Sequence, residues 1–369
     1  MSVFIFASAI GINAVTFPAI LNKNSVDAAH VGIVFMLDSF GGILMSFFLS
    51  RLIKQLNILR ALMISSCCYA LIILLIYFYQ NLYLWGVFAF LMGNLWFIYV
   101  ITRQSWLNIL LKDKQRGVAT GIFSMLISAG VALGPVIVSF SGAENYLSFV
   151  ISAVLTLTSF SVLLLAKTTA NPRLESERIS LTEFFKTNPR IFLSRFFLDF
   201  QTCSLVFFSV IFGIKIGLSY ELAGLLISAY MASGFFDVVV GFLLKKFNPY
   251  QLINLGFIGC LCCFLLIIFI HNYQFLLSAY FFFGIFIACI FVSSFKVCNE
   301  DFKSKKLVAA NATFQLIGSI GAICGSLTSG ILLNIFSAVG FPISIVLSCI
   351  FYLSFLVIYE KTKNFKSKS

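Results

Sequence analysis

Twelve stretches of about twenty residues, each overwhelmingly apolar, follow one another along the chain at 2–21, 29–50, 60–79, 82–103, 117–140, 146–166, 191–213, 221–244, 250–270, 273–295, 309–335 and 338–359. That length is what an α-helix needs to cross the hydrocarbon of a bilayer, roughly 20 residues. A segment surrounded by lipid must satisfy its backbone N–H and C=O groups internally, which leaves helices and closed barrels. Barrel strands would alternate apolar and polar residues over about ten positions, and no such alternation recurs here. The expectation is therefore an all-α integral membrane protein of twelve transmembrane helices. Composition agrees: hydrophobic residues make up 60% of the 369 and charged residues 10%, with a mean hydropathy of +1.04. Soluble domains carry about 25% charged residues.

The net charge of +12 could suggest nucleic acid, but its placement argues for topology. With both termini on the cytoplasmic side, 20 of the 25 Lys and Arg fall in cytoplasmic loops or the tail, and only Lys23 and Lys215 lie outside. A Lys/Arg excess in cytoplasmic loops is what fixes orientation. No nucleic-acid partner is expected; the bilayer is the partner. The ten cysteines sit almost wholly within spans, where Cys behaves as a small hydrophobe. The only histidines are His30 and His271, and no paired CxxC exists, so neither a metal nor a cofactor is expected. The first apolar stretch begins almost at Met1 without a basic leader and reads as a retained span.

Loops are short except residues 167–190, KTTANPRLESERISLTEFFKTNPR, within which ISLTEFFK suits a short interfacial helix. This segment divides the chain into bundles at 1–166 and 191–359, followed by a basic tail at 360–369. The two bundles repeat one another. SRLIKQLN at 50–57 returns as GFLLKKFN at 241–248, and Gly130-x-x-x-Gly134 returns as Gly321-x-x-x-Gly325, both at an offset of 191 residues. Small residues at spacing four let membrane helices approach closely. Parallel repeats of several spans each are a transporter architecture.

These features together resemble the major facilitator superfamily of secondary transporters. SRLIKQLN lies where that family has its G-x-x-x-D-R-x-G loop, SAGVALGPVIV resembles its G-x-x-x-G-P signature at Gly130, Gly134 and Pro135, and Arg116-Gly117 matches its usual start of span five. The resemblance implies two pseudo-symmetric six-helix bundles, alternating access about a central site, a small-molecule substrate, a monomer and an inner (plasma) membrane of bacterial type. Ser50, Lys54 and Asn57 replace the loop's Gly, Asp and second Gly, and Lys245 replaces the acid in the second copy. The cytoplasmic gate is accordingly expected to be held differently, with Lys54, Asp237 and Lys245 as gate candidates and a pairing of Asp237 with Lys245 or another basic neighbour.

Ionisable groups within spans are costly and mark function by default. Asp38 lies twelve residues before Ser50, about 18 Å from that end of span two and so near mid-membrane. It is the leading candidate for proton coupling or cation binding, followed by Asp199, which shares a helix face with Arg195. Arg103 could receive a carboxylate or phosphate, or could anchor span four at the interface. Asn13, Asn94, Asn311 and Gln315 would add neutral polar contacts. No phosphate-binding G-x-x-x-x-G-K-[ST] loop is present, so a gradient of substrate or protons would drive transport. An intramembrane enzyme would need a nucleophile–base pair, a carboxylate dyad or a zinc site, and no flanking signature of these is found. A sensor or scaffold on the same fold is the other alternative.

Overall fold

A computed structural model describes residues 1–56, 58–110, 113–164, 179–302 and 306–366. The described residues are helical or connecting, without strands, and form fourteen α-helices. The first six are α1 (Ser2–Lys23), α2 (Ala28–Leu56), α3 (Ile58–Phe78), α4 (Leu82–Leu110), α5 (Asp113–Ser141) and α6 (Tyr146–Leu164). After the short α7 (Leu181–Thr187) come α8 (Pro189–Lys215), α9 (Tyr220–Ala232) and α10 (Phe236–Leu243). The last four are α11 (Pro249–Phe269), α12 (Tyr273–Asp301), α13 (Leu307–Ile335) and α14 (Gly340–Lys366). Among the described residues eleven spans are long and apolar enough to cross a membrane, α9 and α10 jointly making one, and α6 adds an apolar run over Tyr146–Val162.

Local chemistry explains where helices start. Asn188 and Asn248 each precede a proline at the first helical position, and their side chains accept the Ile191 N–H at 3.2 Å and the Tyr250 N–H at 2.9 Å. Proline there sacrifices no helical hydrogen bond, and the Asn oxygen satisfies a donor the first turn leaves free. The expected short helix forms as α7, with Ser180 accepting from the Glu183 N–H at 3.1 Å. Several helices run past the boundaries of the sequence reading, α2 to Leu56 and α4 to Leu110 among them. Span ten continues to Asp301, and α14 runs through Lys366, so that most of the expected tail at 360–369 is helix. Their last turns carry charge into water, where apolar composition no longer marks the helix.

The halves pack as a repeat. In the first, α1 lies against α5 and α6, α2 against α4, and α3 against α4 and α6. In the second, α8 lies against α13 and α14, α9 and α10 against α12, and α11 against α12 and α14. These are the same pairings moved on by six spans. The repeated glycines serve the same contact in both copies. A side chain at Gly130 or Gly134 would strike the backbone of α1 at Phe4 and Gly11, and one at Gly321 or Gly325 would strike α8 at Phe196 and Phe200. Pro135 withholds the helical N–H from the Val131 carbonyl, and Gly11 on α1 leaves room for that carbonyl.

Across the halves α2 meets α13, and α5 meets α9. The two described hydrogen bonds that join the halves are Asn22 Nδ2 to the Tyr220 hydroxyl at 3.3 Å and Ser228 Oγ to the Ala132 carbonyl at 2.7 Å. The Asn22–Tyr220 bond and the Gly32–Gly330 approach of α2 to α13 lie towards the end of the bundle that carries loops 24–27 and 216–219, opposite the basic loops, and the Ser228–Ala132 bond lies deeper along α9 and α5. Phe35 stacks on Phe207 across the same junction, with ring centroids 4.0 Å apart.

One span breaks a sequence expectation. Residues 221–244 read as a continuous helix, yet a 3-10 turn at Ser233–Phe235 separates α9 from α10. The turn is wedged between halves: Gly234 abuts the Ser128 side chain of α5, and Gly284 of α12 leaves room for Ser233, whose hydroxyl donates to the Tyr230 carbonyl at 2.6 Å. The α2 helix, which fills the equivalent place in the first half, has no such interruption.

Candidate functional site

The charged residues expected inside spans sort into three environments. Asp38 sits midway along α2, where Gly93 of α4 lets the two backbones approach at Asp38, and Gly41 leaves room for the Phe90 carbonyl and the Asn94 amide. Its half-buried carboxylate has no hydrogen-bond or ionic partner among the described residues. The charge reaches Tyr69 on α3 within the same half and Cys203 on α8 in the other. Asp38 therefore lies towards the space between the halves as a carboxyl group without an ionic partner among the described residues.

The Asp199 and Arg195 pair is formed. Arg195 Nη2 lies 2.6 Å from Asp199 Oδ2, with side chains 7% and 20% exposed. Arg195 is further held by α13: Nε donates to the Phe314 carbonyl at 3.3 Å, Nη2 donates to Gln315 Oε1 at 2.8 Å, and the guanidinium rests on the Phe314 ring. Gly318 makes this possible, because a side chain there would occupy the place of both charged groups. Asp199 is thus neutralised on its own helix, at one turn's spacing. Cys203, one turn further along α8, lies in the field of both Asp199 and Asp38 and marks where the two halves' charges look at each other.

Arg103 is the third environment. It is 4% exposed and sits among α1, α4 and α6. Nη2 donates to Ser2 Oγ at 2.7 Å and to Ser159 Oγ at 3.3 Å, and the guanidinium stacks 3.8 Å from the Tyr99 ring centroid. Tyr99 in turn bonds Ser159. Nε and Nη1 have no partner. Arg103 is a buried residue of the first half, held by the first turn of α1.

The neutral candidates divide likewise. Asn13 accepts from Ser152 Oγ at 2.8 Å while its Nδ2 is unpartnered, and Tyr69 lies beside it. Asn94 spends its amide on the Phe90 carbonyl of its own helix at 2.7 Å. Asn311 faces Cys298, 3.9 Å away, and Gln315 belongs to the Arg195 cluster. Asn13, Asp38 and Tyr69 form one group, and Arg195, Asp199 and Gln315 another across the junction.

At the basic end, Asp237 and Lys245 do not pair. Asp237 is half-buried, facing Tyr230 and Cys289, whereas Lys245 is exposed over the Phe242 ring of its own chain segment. Lys296 donates to the Leu244 carbonyl at 3.1 Å, capping α10 from α12, and lies 3.8 Å from Glu300. The Lys54 side chain lies outside the described residues. Tyr69, Ser152 and Gly318 were not singled out by the sequence; Gly318 alone left a trace, as the small residue three positions after Gln315.

A duplicated set of six spans, with inter-half contacts through spans two, five, eight and eleven and charge held between the halves, defines a secondary-transporter architecture. The sequence profile of the Major Facilitator Superfamily matches residues 1–272 and 201–369, and the chain belongs to that family. No curated protein sequence matches it significantly. Among solved structures it is similar to a bacterial homologue of the human lysosomal transporter Spinster, in an inward-facing and occupied conformation. That likeness has a TM-score of 0.74 at 16% identity and covers 98% of this chain and 94% of the other. It is also similar to the nucleoside transporter NupG, with a TM-score of 0.77 at 13% identity, covering 98% and 96%. At these identities the likeness concerns the fold. Family membership places the chain among transporters rather than enzymes.

Proposed function

We propose that this protein moves a small neutral, zwitterionic or hydrophobic organic solute by alternating access, coupled to protons through Asp38. The observation that carries the reading is the contrast in compensation. Asp38 has no partner, whereas Asp199 is tied to Arg195 at 2.6 Å. An isolated carboxylate in a low-dielectric site gains far more from a proton or a cation than one already paired. In this scheme protonation of Asp38 removes an uncompensated charge between the halves and lets the bundles, residues 1–166 and 191–359, rock about their junction. The Arg195–Asp199–Gln315 cluster stays neutral and presents polar edges to the solute, with Asn13 and Tyr69 opposite.

The basic loops argue for a cytoplasmic basic end with both termini inside. On that orientation the hydrogen-bonded junction described above closes the outer side, and the site opens to the cytoplasm. The protein is expected to act as a monomer in an inner membrane of bacterial type, since each half finds its partner within the chain.

The test uses the full chain in proteoliposomes enclosing a pH-sensitive dye, screened with metabolites for solute-driven proton movement. The wild type should couple at least one solute to protons. Asp38→Asn should lose uphill, pH-driven accumulation by about a hundredfold while keeping downhill exchange of the same solute. Uphill transport by Asp38→Asn at the wild-type rate would refute the assignment.

A further inference from the structure

Outside the junction the molecule carries an apolar groove of about 430 Å³ on its lipid-facing side, between the first turns of α2 and α4. Its walls are His30, Ile33 and Leu37 from α2, and Tyr83, Gly86 and Phe90 from α4. These positions repeat every three or four residues, so each helix contributes one stripe running about 10 Å along its axis. The trough exists because Gly86 has no side chain: a Cβ there would meet only the tip of Leu37, 3.0 Å away. Phe90 against Phe40, with ring centroids 6.2 Å apart, closes the inner end. The other end opens beside loop 24–27, where its chemistry changes.

At this mouth the His30 backbone N–H donates to Asp27 Oδ1 at 2.9 Å, and the His30 ring Nδ1 lies 2.8 Å from Asp27 Oδ2. The backbone donation holds the Asp27 carboxyl below the usual carboxylate range, so it is an anion at neutral pH. Both side chains are open, 43% exposed for Asp27 and 54% for His30. Tyr83 stands almost fully exposed at the first turn of α4, where an aromatic ring suits the membrane–water interface. Lys23, the nearest cation in sequence, is occupied by Glu144 at 2.7 Å and does not neutralise Asp27.

From this geometry we infer that the groove between α2 and α4 binds one acyl chain of a membrane phospholipid whose ammonium headgroup rests against Asp27 and Tyr83. Three observations select this occupant. The groove lies within a hydrocarbon-facing surface, so alkyl chains surround it. It is a trough lined by apolar side chains along both helices and ends at aromatic rings, which suits a linear alkyl group. Its mouth presents a negative charge and an aromatic face, which attract a positive headgroup and disfavour an anionic one. The site is separate from the Asp38 junction, and neither depends on the other.

The probe is phosphatidylethanolamine, compared with phosphatidylglycerol, added to the purified full chain and read by native mass spectrometry. Wild type should retain one phosphatidylethanolamine in about fivefold preference to phosphatidylglycerol. Gly86→Leu, which fills the trough, should cut retention about tenfold. A Cβ at this position meets only the flexible end of Leu37, and an unchanged melting temperature would confirm the fold of the variant. Asp27→Asn at the surface should keep the lipid but lose the headgroup preference. Equal retention by Gly86→Leu and wild type, or a wild type without preference, would overturn the proposal. So would retention of dodecyltrimethylammonium with no phospholipid, which would make the groove a site for soluble amphiphilic cations.

Discussion

The two halves share their helix pairings but handle charge in opposite ways. In the first half a buried guanidinium, Arg103, and a carboxylate, Asp38, belong to different clusters, and neither has an ionic partner among the described residues. In the second, Arg195 and Asp199 sit one turn apart on α8 and form a contact of 2.6 Å. The spans that face each other across the junction differ too: α2 is continuous, while its counterpart is split into α9 and α10. Duplication has preserved what backbone packing requires, the glycine contacts of α5 with α1 and of α13 with α8. The chemistry has diverged around that scaffold.

The largest expected effect separates the two arginines. Arg195→Met strands the Asp199 carboxylate in a largely buried site and should destabilise the protein by about 3–5 kcal/mol. The double variant Arg195→Met/Asp199→Leu should recover most of that loss, because no charge is left alone. Arg103→Met strands nothing; it removes two serine contacts and the stacking on Tyr99, and should cost about 1–2 kcal/mol. Thermal melting in detergent compares them directly. An Arg103 variant as damaged as the Arg195 variant would mean that Arg103 has an ionic partner after all, and the contrast between halves would collapse.

The scaffold comparison makes a prediction of intermediate size. Gly134→Val and Gly325→Val each place a side chain against the backbone of the neighbouring helix, and overpacking of that kind costs about 1–3 kcal/mol. If the repeat is a true structural equivalence, the two losses should agree closely. A marked inequality would show that one half tolerates separation of its first and fifth spans, and the symmetry would then be one of topology only.

What was legible in the sequence follows the same division. The spans, the two-bundle organisation and the glycine register could be read because each is a repeated demand of lipid or backbone sterics. The Arg195–Asp199 pair was legible because spacing four on a helix fixes a shared face. The setting of Arg103 was hidden, since its partners Ser2, Tyr99 and Ser159 come from three helices that only the fold assembles. So was the break at Ser233–Phe235, where Ser-Gly-Phe carries no proline, and the 3-10 turn arises from packing against Ser128 and Gly284. The expected pairing of Asp237 with Lys245 does not form, since α10 ends at Leu243 and Lys245 lies beyond it over the Phe242 ring.

The smallest expected effect tests whether the broken span depends on its neighbours in a way that α2 does not. The α10 helix has eight residues, too few to be stable on its own account, whereas α2 has 29. Lys296 reaches from α12 to the Leu244 carbonyl at 3.1 Å, placing a cation at the C-terminal, negative end of α10. Such a contact contributes about 0.3–1 kcal/mol. Lys296→Met should therefore leave the melting temperature nearly unchanged but speed amide exchange in residues 240–247 by about two- to fivefold, with α2 unaffected. Lys296→Arg, which keeps the charge and the reach, should restore protection. Should Lys296→Met accelerate exchange equally in α2, the lysine would be supporting the whole basic end rather than the detached half-helix. Unchanged exchange in both would show instead that packing against α12 alone holds α10.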